Sequence, residues 1–225
     1  MKQPIMDFKK AFDFLRKLSK NNNREWFEKH KPDYLLIKEE FENFVGEVLK
    51  GAIEIDERLA SLEPKKLTFR IYRDIRFSKD KTPYKTFLSA AISRAGKDTH
   101  IAGYYFQIEP GNKSMLATGL YLPVAESLAK IRQEIDYNGD RLEAIVKEKK
   151  FNRQFGDLWQ GDKLKTMPKG FPKDHPHIEY LKLKSILAMT TFNDADVSTG
   201  KFAKTLVNAM KTSKPLIDFL YEALD

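Results

Sequence analysis

Phe8, Ala11, Phe12, Leu15 and Leu18 recur at helical spacing, which predicts an amphipathic helix over residues 7–19. The run Asn21-Asn22-Asn23 ends it. Asn22 with Glu25 three residues later predicts a capping box that opens a second helix, anchored by Trp26 and Phe27. Pro32 marks a third start. The stripe of Tyr34, Ile37, Phe41, Phe44, Val45, Val48 and Leu49 follows it, and Pro64 closes the helical region.

From Leu67 the period changes to two. Leu67, Phe69, Ile71, Ile75 and Phe77 fall on one face, and Thr68, Arg70, Tyr72, Asp74 and Arg76 on the other. This predicts a first strand over 67–73. Arg73 sits in the apolar register, so it should be less exposed than Arg70 or Arg76. A buried guanidinium then needs a carboxylate or a bound anion. Alternatively the strand ends near Asp74 and a turn brings Arg73 to the side of Arg70. Residues 78–83 read as a loop, and 87–93 as a second strand. Residues 101–109 alternate cleanly, with Tyr104, Phe106 and Ile108 on one face. Pro110-Gly111-Asn112 predicts a turn into a hairpin partner over 114–122. The opposite face is the more polar one and should carry Arg70, Tyr72, Tyr105 and Gln107.

Pro123 suits a first helical position. Leu128, Ile131 and Ile135 predict a helix to about Tyr137; Leu142, Ile145 and Val146 predict a shorter one. Residues 167–176 form an aperiodic loop, 178–184 a short helix and 186–192 a last strand. Phe202, Leu206, Val207 and Met210 mark a helix, and Pro215 starts another with Leu216, Phe219 and Leu220. No repeat or linker divides the chain. The pattern predicts one α+β domain over 1–225: helical to 64, sheet-rich over 65–122, mixed over 123–225. Its sheet is mainly antiparallel, with about five strands flanked by N-terminal and C-terminal helices.

Composition changes the picture in three ways. A hydrophobic content of 41% and an aromatic content of 12% fit a globular chain. The absence of cysteine excludes disulfides, a thiol nucleophile and a Cys-type zinc site. A pI near 9.3 favours anionic partners. Charges interrupt the apolar residues of the first segment, and no apolar run reaches membrane-spanning length. A cytoplasmic protein with no membrane partner is expected.

The charge is concentrated. Residues 65–85 hold eight basic and two acidic side chains, a net of plus six in a chain of net charge +8. Arg70, Arg73, Arg76, Lys81 and Tyr84 are the candidate ligand-binding residues there. Guanidinium forks match the oxygens of phosphate and carboxylate, Lys81 adds a point charge, and Tyr84 can donate a hydrogen bond. Asp74 would orient an arginine. If the site is catalytic, Asp74 and Tyr84 are the candidate proton-transfer groups. A phosphate- or carboxylate-bearing small ligand is the first expectation. The second is nucleic acid, with Tyr72, Phe77 or Tyr84 stacking on bases. The third is an interaction module whose arginines form an internal network. Asp174-His175-Pro176-His177 would need carboxylates from elsewhere to hold a metal, and none is assigned on sequence. No cofactor motif occurs: SRAGKD lacks the first glycine and the Ser/Thr of a P-loop, and GxGxxG and GxSxG are absent.

The run Arg70, Arg73, Asp74, Arg76, Phe77, followed by Lys81 and Tyr84, resembles the signature of the largely bacterial family called domain of unknown function 2461. The segments 21–31, GYYFQIEP and PKGFPKDHPHIEYLKLKS are similar to that family's general pattern, so the resemblance spans nearly the whole chain. It implies membership and points to the same seven residues. It implies no activity.

Overall fold

A computed structural model describes residues 5–98 and 100–225 of the chain. The N-terminal helices are α1 (Phe8–Lys20), α2 (Arg24–Lys29) and α3 (Lys31–Ile53). A 3-10 turn, Glu57–Leu59, and a single helical turn, α4 (Pro64–Leu67), follow. Pro64 therefore opens a turn of helix rather than closing the region, consistent with its fixed φ at a first position. The cap of α2 is Asn23, whose side chain accepts from Trp26 N–H. Asn22, the residue expected there, is free for another task.

Strands β1 (Leu88–Ile92), β2 (Gly103–Ile108), β3 (Ser114–Leu120) and β4 (Ile186–Phe192) form one antiparallel sheet in sequence order. The predicted hairpin is present, with Tyr104 opposite Thr118 and Phe106 opposite Leu116. Tyr104, Phe106 and Ile108 are buried as the alternation required. Four strands stand where about five were expected, because residues 67–73 form no regular strand. Two isolated bridges tie them to the chain that precedes and enters β1: Thr68 opposite Ala90, and Tyr72 opposite Tyr84. Four residues separate the bridges on one side and six on the other. The two extra residues break the ladder, as in a bulge.

Between β3 and β4 the chain crosses through α5 (Ala125–Lys147), α6 (Lys149–Phe155) and α7 (Ile178–Leu181). The two helices predicted over 128–146 are one bent helix, with non-helical φ −127° and ψ 29° at Asn138. Pro123 precedes α5 instead of starting it. After β4 come α8 (Asp194–Val197) and α9 (Phe202–Leu224). Pro215 lies inside α9. It is exposed, so water can satisfy the carbonyl it leaves unpaired, while Ser213 Oγ bonds the Ala209 and Met210 carbonyls at 3.1 and 3.2 Å. Helices α6 and α8 had no periodicity long enough to read. No helix among the described residues is long and apolar enough to cross a membrane.

Helices cover one face of the sheet. Phe44 of α3 meets Phe106 of β2 at 6.2 Å and stacks on Phe202 of α9 at 6.0 Å. Phe8 of α1 meets Phe44 edge-on at 5.1 Å. The far end of the sheet is fixed by Asp194. Its carboxylate accepts from Gly111 N–H at 3.0 Å, Asn112 N–H at 2.8 Å and Arg16 at 2.7 Å. Asn112 Oδ1 accepts in return from Asp194 N–H at 2.8 Å. Gly111 and Asn112 both have positive φ, 87° and 62°, which suits these residue types. One side chain thus joins the β2–β3 turn, the end of β4 and α1.

Two predictions follow the packing. Burial alone would raise the Asp194 carboxyl, but the Gly111 and Asn112 donors and Arg16 outweigh it and hold it below its ordinary value. Its stabilising contribution is therefore complete above about pH 4 and is lost as pH falls through the lowered value. Asp194→Ala should cost about 2 kcal/mol at neutral pH by urea unfolding, and less in acid. Conversely, Tyr104 Oη is buried with no hydrogen-bond partner among the described residues. Tyr104→Phe removes that unpaired group and should leave stability equal or raised by up to about 1 kcal/mol; a clear loss would reveal a hidden partner.

Candidate functional site

The basic stretch runs along the edge of β1 that β2 does not use. Phe69 N–H donates to the Ser89 carbonyl at 2.9 Å, and Lys85 N–H to the Ile71 carbonyl at 2.7 Å. Asn22 clamps the return segment. Its Nδ2 donates to the Tyr84 carbonyl at 2.9 Å, and its Oδ1 accepts from Tyr84 N–H at 3.1 Å. The Tyr84 ring stacks on Phe27 at 4.0 Å and is buried. Burial pushes its phenol above the ordinary value, with Tyr72 and Glu28 adding and Arg24 and Lys31 opposing.

Between Arg73 and Thr82 the chain leaves the sheet as a loop, so Phe77 is 95% exposed instead of sharing the face of Leu67 and Ile71. Arg73 Nη1 reaches back across it. It donates to Asp80 Oδ2 at 2.5 Å, to the Thr82 carbonyl at 3.2 Å and to the Thr82 hydroxyl. The Arg73 side chain is 26% exposed against 76% for Arg76. The need for a partner, read from its register, is met by a carboxylate of the same loop. Thr82 N–H and Arg73 together bring the Asp80 carboxyl down to about 2. Asp74 accepts from Arg76 Nε at 3.0 Å and Nη2 at 2.7 Å, and these bonds lower it to about 2. It takes the orienting role. Lys81 Nζ donates to the Ile75 carbonyl at 3.0 Å. Of the five candidate ligand contacts, Arg73, Arg76 and Lys81 are thus engaged within the loop and Tyr84 in the core.

Arg70 has a different setting. It is exposed and has no ion pair among the described residues. Its charge helps lower the Asp74 carboxyl and also acts on Lys85, whose ammonium lies over the Phe69 ring at 5.4 Å and the Phe87 ring at 5.9 Å. Burial, then Arg70, pushes the Lys85 ammonium below its ordinary value. Lys97 Nζ lies 5.8 Å from the same Phe69 ring and donates to the Thr68 carbonyl at 3.1 Å. Two cations, Lys85 and Lys97, thus meet at one aromatic ring with Arg70 close enough to act on Lys85, and none of the three is in an ion pair with a carboxylate among the described residues.

That ring leaves the face of Leu67 and Ile71 on which the alternation placed it and lies on the other side of the sheet, 6.1 Å from Tyr105, because residues 67–73 form no regular strand. Tyr105, Gln107 and Glu109 alternate along β2 and on into its turn. The Tyr105 hydroxyl donates to Gln107 Oε1 at 3.1 Å, and Gln107 Nε2 to Glu109 Oε2 at 2.8 Å. Burial raises the Tyr105 phenol, with Ser89 opposing, and burial raises the Glu109 carboxyl, with Lys113 opposing. Beyond Tyr105 lies a pocket of about 60 Å³ lined by Ala91, Ala117, Gly119, Tyr121 and Leu187. Lys85, Lys97, Phe69 and Glu109 escaped the sequence reading. Lys85 lies within the basic stretch but outside the predicted ligand contacts, and Lys97 belongs to a segment that matches no phosphate-binding loop. The motif at 174–177 belongs elsewhere: His175 and His177 face Asp136 and Asp140 of α5.

A family model described as a conserved hypothetical protein, DUF2461, matches residues 10–219. No curated protein and no solved structure matches the chain.

Arg73 holds the loop closed, so Arg73→Ala should open it. Limited trypsin digestion should then cut at Lys79 and Lys81 faster than in the parent, with a lower melting temperature. Arg73→Lys should fall between the two, because an ammonium cannot reproduce the fork across Asp80 and Thr82. Equal cleavage of all three proteins would show that the ion pair does not organise the loop.

Proposed function

The chain belongs to the DUF2461 family, and we propose that it binds a phosphate- or carboxylate-bearing small ligand on the uncovered face of the sheet, beside the basic stretch. One observation carries this reading. The Lys85 ammonium is partly desolvated against two phenyl rings, has no carboxylate partner, and has Arg70 beside it. Like charges crowded at a low-dielectric edge repel each other, and an anion that bridges them relieves both the repulsion and the unmet hydrogen bonds. Arg70, Lys85 and Lys97 form the anion end. Phe69 and Tyr105 supply aromatic surface for the rest of the ligand, and Gln107 and Glu109 supply polar contacts. Arg73, Asp80 and Tyr84 hold the frame, and Arg76 and Lys81 reinforce the loop.

A second reading rests on Phe77. It protrudes with the Arg76 guanidinium 5.8 Å from its ring, an arrangement able to stack on a base of single-stranded nucleic acid. It ranks second because Arg73, Arg76 and Lys81 are engaged within the loop instead of being spread along a groove.

Phosphate and pyrophosphate titrations read by thermal denaturation and calorimetry test the first reading. The parent should be stabilised. Lys85→Ala and Arg70→Ala should each weaken binding by roughly 10- to 100-fold, the scale of a lost charged hydrogen bond. Lys79→Ala, at the loop tip, should not. Equal stabilisation of all four proteins, or of none, would sink the site. Fluorescence anisotropy with a single-stranded oligonucleotide tests the second reading: an affinity that falls steeply with salt and is lost in Phe77→Ala would favour nucleic acid instead.

A further inference from the structure

The histidine motif at residues 174–177 has a setting that its sequence did not disclose. Helix α5 bends at Asn138, and Asp136, Asp140 and Glu143 lie at spacings of four and three along it, a pattern that puts them on one side of a helix. His175 and His177 meet them, and both are more than nine-tenths buried. His177 N–H donates to His175 Nδ1 at 3.0 Å, so that nitrogen carries no proton. The other nitrogen of His175, Nε2, is then the N–H that donates to Asp136 Oδ1 at 3.0 Å. His175 is fully occupied as a brace between the loop and the helix.

His177 is placed differently. Its ring lies flat against the helix at Gly139, where a Cβ would stand 2.2 Å from a ring carbon, so any other residue at 139 would displace it. Asp140 Oδ1 is 3.0 Å from Nε2. Glu143 Oε2 is 3.8 Å from Nδ1, too far for a hydrogen bond. A buried imidazole needs one acceptor. The second carboxylate beside it is therefore not explained by hydrogen bonding. One nitrogen of His177, one oxygen of Asp140 and one of Glu143 all lie within 4.8 Å of one another. Ligands bound at about 2.0–2.2 Å around one ion stand roughly 3–3.5 Å apart. The Asp140–Nε2 pair is already at that spacing; Glu143 Oε2 stands 3.8 Å from the other ring nitrogen, so an ion on Nε2 requires the partly exposed Glu143 side chain to swing toward Asp140.

We propose that Asp140, Glu143 and His177 bind one divalent first-row transition-metal ion. The donor set is one imidazole and two carboxylates with no thiolate, which suits zinc, manganese, cobalt or ferrous iron over softer ions. Two anionic ligands balance the charge of a divalent cation. Asp140 is 99% exposed, so the ion faces solvent and retains water in its open positions. The His175–Asp136 brace fixes the loop that presents His177, the supporting role that outer partners of a metal ligand serve. Lys147, which pairs with Glu143, is the competing cation that the metal displaces.

The test uses the full chain stripped with a chelator and dialysed. Cobalt is titrated in while its visible absorption and calorimetric stoichiometry are recorded; zinc is then added in competition. One cobalt per chain, displaced by zinc, is expected. Asp140→Asn and Glu143→Gln should each weaken binding by at least about tenfold. Asp140→Asn changes a solvent-exposed side chain, so it decides the matter even if His177→Gln proves unstable. His100→Ala, remote in sequence from the motif, should bind as the parent does. No cobalt binding by the parent, or binding unchanged in Asp140→Asn and Glu143→Gln, overturns the proposal.

Discussion

The structure depends on one apolar constraint: the buried face of a four-stranded antiparallel sheet must be covered, and the phenyl rings of α1, α3 and α9 cover it. Phe8, Phe44 and Phe202 meet one another, Phe44 meets Phe106 of β2, and Phe202 meets Phe192 of β4 at 5.1 Å. Edge-to-face and offset contacts of this kind add to the area buried and fix the approach of each element. Segments far apart in the chain are thereby brought together. Asp194 then locks the far turn of the sheet with two backbone donors and Arg16.

Covering one face leaves the other free, and that asymmetry positions the candidate anion site. The stretch from α4 to β1 lies along the sheet edge without completing a strand, because the two segments it joins differ by two residues between their bridges. The excess is taken up around a loop whose charges answer one another, Arg73 to Asp80 and Arg76 to Asp74. Phe69 stays on the sheet and turns its ring toward Tyr105. Lys85 and Lys97, neither in an ion pair with a carboxylate among the described residues, meet at this ring. Lysines on sheet edges commonly serve to prevent pairing with other chains, but Lys85 is packed over aromatic rings, which an edge guard does not require.

A second asymmetry arises on the crossover from β3 to β4. The bend at Asn138 and the missing side chain at Gly139 let a loop approach α5 closely enough to bury two histidines. An unbroken helix with a larger residue at 139 would hold the loop off and separate His177 from Asp140 and Glu143. The backbone irregularity and the cluster of ligating groups are thus parts of one arrangement.

Periodicity alone determined most of the fold. The stripe from Phe8 to Leu18, the alternation through Tyr104, Phe106 and Ile108, and the Gly111-Asn112 turn specified α1, β2 and the β2–β3 hairpin, because each depends on neighbours within a few residues. The basic charge of 65–85 and the need of Arg73 for a partner were equally legible, since register and charge are local properties. What the sequence could not decide were distances between segments. Alternation could not reveal the two-residue mismatch that denies 67–73 a regular strand, since a ladder belongs to two segments at once. It could not show that Asn22 clamps Tyr84, or that Lys85 and Lys97 meet at Phe69 while Arg73 and Arg76 turn to their own loop. Helical spacing could not show that Pro215 is absorbed within α9, because the cost of its lost bond depends on which side of the helix faces water. The carboxylates that meet His175 and His177 stand 34 or more positions earlier in the chain. Only the packing of α5 against the loop brings them within 3.0–3.8 Å, because charge pairing at that range is fixed by tertiary contact and leaves no local pattern.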